Sequence, residues 1–271
     1  MKHILAIALV FIFNNLFSQQ VKVEIVTENT PNGYILYASN DEVCPVSIEI
    51  KFKLTNLSLS TGNQLIFVIP AKTKKFMLTE FTKIDAEKTY TFTCKTQANF
   101  GNVTITNYDT AFEYDLPFET GNNFILYQGY NGKFSHQNEN SLDFEMPEKT
   151  PITAARAGIA IAIEQSNTES CPNKSCIQYN NYINILHNDG TIASYGHIKY
   201  KGAKVSIGDS VQQGSIIALS GNTGFTSGPH LHFICFLPGL KERKSIETFF
   251  KINSGDEVVK LQEKEKYYKN Y

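Results

Sequence analysis

Neither sign of charge dominates this sequence, and no long basic run occurs in it. Its 25 Lys and Arg stand against 26 Asp and Glu, a formal net charge of -1. A polyanion-binding surface is therefore excluded as a first reading, and nucleic acid with it. Apolar runs are short as well: Ile4 to Phe13 falls below the length that spans a bilayer, which argues against stable membrane insertion. Tryptophan is absent, so the aromatic content rests on 14 Tyr and 19 Phe. Together with many Thr, Ile and Val, these favour strands. A hydrophobic share of 42% with 19% charged residues excludes disorder as the default, and 271 residues suffice for two modest domains.

The same short apolar run has another use. Lys2 gives a positive start, Asn14 and Asn15 end the run, and the small Ser18 offers a cleavage point before Gln19. Residues 1–18 are expected to be a secretory signal peptide, and the mature protein to be exported, periplasmic or secreted. No Cys follows the cut, so lipid modification there is not indicated. Five cysteines in an exported chain permit disulfides. Cys44 with Cys94, and Cys171 with Cys176, are the expected pairs, leaving Cys235 over. Zinc held by Cys171 and Cys176 is the alternative, but no second close pair completes such a site.

Alternating runs such as Val21–Val26 and Val46–Leu54, broken by Pro31-Asn32-Gly33 and Thr61-Gly62-Asn63, predict an all-β chain. Residues 19–118 read as an immunoglobulin-like β-sandwich, a structural or positioning module. Residues 119–252 form a second, mainly antiparallel β domain, and 253–271 a C-terminal tail. Within it, Tyr182–His187 turns at Asn188-Asp189-Gly190 and returns through Ile192, a strong hairpin signal. Gly202 to Gly221 reads as a β-meander, similar to the core of biotinyl carriers. Such carriers present a tip lysine, and none lies between Lys204 and the His230 strand.

Chemistry concentrates in the stretch Ser220-Gly221-Asn222-Thr223-Gly224 through His230-Leu231-His232-Phe233. Side chains alternate along a strand, so His230 and His232 point the same way. Alone they fit two surface histidines equally well. His136, Asp143 and His197 supply the missing partners. His136, Asp143 and His232 offer two imidazoles and a carboxylate for one zinc ion, with a fourth position free for water. His230 then suits a general base, and His197 a group that orients water or stabilises an oxyanion. His187, at a hairpin edge, reads as structural.

Phe134-Ser135-His136, Leu142-Asp143-Phe144, Gly196-His197 and the Gly221–Phe233 stretch resemble the motifs of the lysostaphin-type (LytM-like) zinc metalloendopeptidases. The resemblance covers roughly Phe124 to Phe250. It implies a secreted peptidoglycan hydrolase with a mainly antiparallel β core, acting on the cross-linking peptides of bacterial cell wall. It implies zinc on His136, Asp143 and His232, with His230 as base and His197 assisting. Relatives commonly place the first histidine and the aspartate four residues apart; here they are seven apart, with Gln137 to Ser141 enlarging the loop. A transition-state tyrosine is expected upstream of the first ligand, at Tyr130 in preference to Tyr127. A catalytically silent wall-binding or hydrolase-regulating module of the same fold is the alternative. Oligomeric state is not legible.

Overall fold

The computed structural model describes residues 8–12, 21–62 and 64–271. Most of the expected signal peptide, residues 1–18, including the expected cleavage point, lies outside the described residues. Among the described residues, no helix is long and apolar enough to cross a membrane. The chain divides into two units, Gln20–Thr104 with Pro238–Glu242, and Ile105–Leu237 with Arg243–Tyr271.

The strands of the first unit are β1 (Ala8–Ile12), β2 (Lys22–Thr30), β3 (Gly33–Asn40), β4 (Val46–Thr55), β5 (Leu57–Leu59), β6 (Ile66–Ile69), β7 (Thr73–Lys83) and β8 (Thr91–Phe100). They pair antiparallel as two sheets, β1-β2-β3-β7-β5 and β6-β4-β8. Phe81 of the first sheet stacks on Phe92 of the second at 4.5 Å and meets Phe52 edge-on at 5.3 Å. Those aromatics join the sheets face to face.

One expected disulfide is absent from this unit. Cys44 and Cys94 are both free. Register explains why: Cys94 lies opposite Phe52, whereas Cys44 precedes Val46 at the other end of the same ladder. At about 3.3 Å per residue they sit some 25 Å apart, well beyond the reach of a disulfide.

The second unit contains β9 (Glu113–Tyr114), β10 (Asn123–Gln128), β11 (Ser141–Glu145), β12 (Pro151–Thr153), β13 (Gly158–Glu164), β14 (Ser170–Cys171), β15 (Tyr182–Leu186), β16 (Ile192–Gly196), β17 (Ile198–Ala203), β18 (Ser210–Val211), β19 (Ile216–Ser220), β20 (Gly224–Phe225), β21 (His230–Leu237), β22 (Lys244–Ile246), β23 (Phe249–Ile252), β24 (Glu257–Val259) and β25 (Lys266–Tyr268). Its main sheet runs β18-β13-β15-β16-β21-β11-β10-β25, with β22 beside β21. The hairpin expected around Asp189 is β15–β16, paired Leu186 to Ile192. Two smaller sheets are β12-β19-β17 and β24-β23-β9. Phe118, Phe144, Tyr195, Phe233 and Phe250 are fully buried in this unit's core.

Two boundaries and one strand pairing differ from the expected ones. Tyr114, Leu116 and Phe118 are buried in the second core, so the division falls at Thr104 and not at Phe118. Residues 253–271 are not a solvated tail: β25 pairs with β10, and Leu261 and Tyr267 are buried. The Gly202–Gly221 stretch is not a simple meander, because β18 leaves it to pair with β13.

His187 is structural, as its hairpin position suggested. It is 2% exposed, and its Nδ1 lies 2.8 Å from the Ala157 carbonyl while Nε2 has no partner. Burial pushes its imidazole down to about 4. An unfolded histidine titrates near 6.5, so between these values the unfolded chain binds the extra proton. The contribution is therefore complete above pH 6.5 and lost as pH falls toward 4, on the order of 3 kcal/mol. Denaturant unfolding at pH 7 and pH 4 should show His187→Gln losing less stability on acidification than the parent, by roughly that amount. Equal losses would contradict the assignment.

Candidate metal centre

The site is built on three neighbouring strands. Across the β11–β21 ladder Asp143 sits opposite His232, and across β16–β21 Gly196 sits opposite His232. Strand alternation places His230 on the same face as His232. His197 follows Gly196 in the left-handed region, φ 60°, and Asn180 Oδ1 accepts its backbone N–H at 2.9 Å. A non-glycine residue there is strained, and such strain gathers at functional sites. His136 arrives from the loop between β10 and β11.

His136, Asp143 and His232 each direct a ligand-type atom to one point, all within 4.8 Å of one another. Asp143 Oδ1 is 2.8 Å from His232 Nδ1, and its Oδ2 is 3.1 Å from His136 Nε2. His136 Nε2 is nevertheless buried and makes no hydrogen bond, because the short approach lacks the geometry of one. An orphaned imidazole nitrogen facing a buried carboxylate and a second imidazole fits a divalent cation of zinc's preferences. The remaining contacts set the tautomers. His136 Nδ1 lies 3.0 Å from the Gly129 carbonyl, which takes its N–H and turns Nε2 inward. His197 Nδ1 does the same to the Thr223 carbonyl at 2.6 Å, and His230 Nδ1 to the Gly228 carbonyl at 2.8 Å.

Charge follows from burial and neighbours. Burial alone would raise the Asp143 carboxyl, but contacts with His136 and His232 outweigh it and hold the group well below the usual carboxylate range. Burial depresses His230, only partly offset by Asp143. Burial, then His230 and His232, hold His197 well below an ordinary imidazole. His230 and His197 are therefore neutral, with ring centroids 4.4 Å apart.

The structure separates the two candidate tyrosines. The Tyr130 hydroxyl is engaged by Thr248, 2.8 Å from its Oγ1 and 3.0 Å from both its backbone N and O, and does not face the histidines. Tyr127 stands at the site instead, its ring edge-on to His230 at 5.4 Å. The cause is a register shift: Leu126 pairs with Phe144 and Gln128 with Asp143, so two residues of β10 oppose one of β11. A bulge of this kind re-aims the side chain it frees. Burial first, then Asp143, raises the Tyr127 phenol, so it stays protonated.

Sequence reasoning passed over two supports. Gln128 Nε2 donates to Asp143 Oδ2 at 3.0 Å and to Ser135 Oγ at 2.7 Å; a buried amide on an apolar strand was the available signal. Thr226 Oγ1 lies 3.2 Å from His230 Nδ1. The Thr226 amide in turn donates to the Cys171 carbonyl at 3.1 Å, in the loop closed by the Cys171–Cys176 disulfide. That disulfide is the expected second pair.

Residues 137–240 match the profile of Peptidase family M23, beginning one residue after His136. Over these residues the second unit is similar to the lysostaphin-type, LytM-like peptidases. Among its relatives, an uncharacterized metalloprotease of Buchnera aphidicola is 41% identical over 96 residues, 35% of this chain and 22% of that protein. Peptidoglycan DD-endopeptidase ShyC of Vibrio cholerae is 34% identical over 39% of this chain and 22% of its own length. Lysostaphin of Staphylococcus staphylolyticus is 31% identical over 48% of this chain and 22% of its own. The chain thus spans about a fifth of these relatives. The solved catalytic domain of lysostaphin from Staphylococcus simulans matches 44% of this chain and 81% of its own, at 28% identity and a TM-score of 0.32.

Metal analysis of purified variants tests the donor set. Asp143→Ala and His232→Ala should lose stoichiometric zinc, whereas His230→Ala should keep it. Zinc loss in His230→Ala, or retention in Asp143→Ala, would overturn the assignment.

Proposed function

We propose that this chain is an exported, zinc-dependent endopeptidase that hydrolyses the peptide cross-links of bacterial peptidoglycan. The observation that carries the reading is the convergence of His136, Asp143 and His232, with the neutral His230 and His197 beside them. The peptidoglycan endopeptidase named among the relatives supports the substrate class. One zinc ion, when bound, supplies Lewis-acid polarisation of a carbonyl and lowers the pKa of a coordinated water to about 7.

The chain's own groups do the rest. His230, with Nδ1 tied to Gly228, presents Nε2 as the base that takes the water proton and later returns it to the leaving amine. Tyr127, held as a phenol, donates to the oxyanion as it develops. His197, its Nδ1–H held by the Thr223 carbonyl, presents Nε2 as an acceptor that orients the water; a neutral imidazole in that tautomer has no proton left to give an oxyanion. Gln128 keeps Asp143 in place. Residues 1–18 act as the leader, and the two-sheet first unit, read as immunoglobulin-like, as the module that positions the enzyme on its polymer.

Purified cell-wall sacculi, incubated with zinc-loaded protein and analysed by mass spectrometry, should release fragments cut at cross-link peptide bonds. His230→Gln should retain zinc while slowing release by about 10²- to 10⁴-fold. Intact sacculi together with uncut defined cross-linked peptides would contradict the reading.

A further inference from the structure

The family match ends at residue 240, yet the loop that carries His136 is gripped by the chain beyond it. Asn140 donates its backbone N–H to Ser245 Oγ at 2.9 Å and its side-chain amide to the Ser245 carbonyl at 3.3 Å. Arg243 pairs with Glu139 in the same loop. On the other flank, Thr248 is buried and bonds the Tyr130 hydroxyl through its backbone and its side chain. Glu263 Oε2 accepts the Gly129 N–H at 3.3 Å, and a side chain at Gly129 would press on Glu263 Cβ, also at 3.3 Å. One step earlier, Lys264 N donates to the Leu126 carbonyl at 2.6 Å and Leu126 N to the Glu265 carbonyl at 2.9 Å.

These contacts converge on one acceptor. The Gly129 carbonyl takes the His136 Nδ1 proton and so decides where Nε2 points. Between His136 and the start of β11 the chain runs through an irregular polar loop, Gln137-Asn138-Glu139-Asn140. Loop length costs little closure entropy but leaves more conformations for the ligand to explore. Something must remove that freedom, and residues 243–265 touch both flanks of the loop.

We propose that residues 243–265 form a positioning clamp for the first metal ligand, with Tyr130 and Glu263 as its positioning residues. Tyr130 thus serves the site without touching substrate. The clamp holds Gly129 and its neighbours so that His136 meets the cation already oriented. This inference rests on His136 being a ligand.

Zinc affinity by chelator competition, and the visible absorption of the cobalt-substituted protein, test both levels in the full chain. His136→Ala should abolish tight binding; if it does not, the ligand reading fails. Tyr130→Phe and Glu263→Ala should each weaken zinc binding about tenfold and alter the cobalt spectrum, while Glu263→Gln, which keeps an acceptor, should match the parent. Thermal unfolding of the metal-free proteins separates a folding defect from misplacement. Should Tyr130→Phe fail to fold, the exposed Glu263 decides. Parent-like affinity and spectrum in folded Tyr130→Phe and Glu263→Ala, alongside loss in His136→Ala, would overturn the clamp, whatever their melting temperatures.

Discussion

Asp143 is a carboxylate only 2% exposed in the middle of a β-sheet, and a charge placed there must be compensated or the fold loses several kcal/mol. Compensation comes from His232 across the ladder, His136 from the adjoining loop and the Gln128 amide from the next strand. Those partners exist only if β10, β11 and β21 keep one register. Shifting any of them by one residue would turn its side chains to the opposite face. Register is held in turn by Leu142, Phe144, Leu231 and Phe233, buried on the same strands. Packing and site are therefore one constraint: the residues that build the core also align the donors.

The same logic runs outward. His230 lies two residues from His232 and shares its face, but its Nδ1 is committed to Gly228 and Thr226, while its Nε2 lies 3.7 Å from Asp143 Oδ1. His197 is brought in by an unfavourable backbone conformation that Asn180 and Thr223 hold. Each imidazole has a distinct anchor.

Much of this was legible in residue order. Strand alternation put His230 and His232 together, the Asn188-Asp189-Gly190 turn placed the β15–β16 hairpin, and the His/Asp set converged as its chemistry required. What stayed hidden depends on register and on distant pairing. Choosing Tyr127 over Tyr130 needs the bulge opposite Asp143, which no local pattern announces. The separation of Cys44 from Cys94 needs the β4–β8 alignment. The charged C-terminal segment looked solvated because its strands are short, and only pairing of β25 with β10 makes it part of the second unit. Tyr114 to Phe118 sit in an irregular, polar stretch, so their burial in the second core has no periodic signature.

X-ray absorption at the zinc edge of the metal-loaded protein addresses the central claim directly, because it reads donor type without requiring substrate or turnover. The arrangement of His136, Asp143 and His232 predicts two imidazole nitrogens at about 2.0 Å with oxygen donors at about 2.0–2.2 Å, and no sulfur. A sulfur shell at about 2.3 Å, or a first shell lacking two imidazoles, would contradict it.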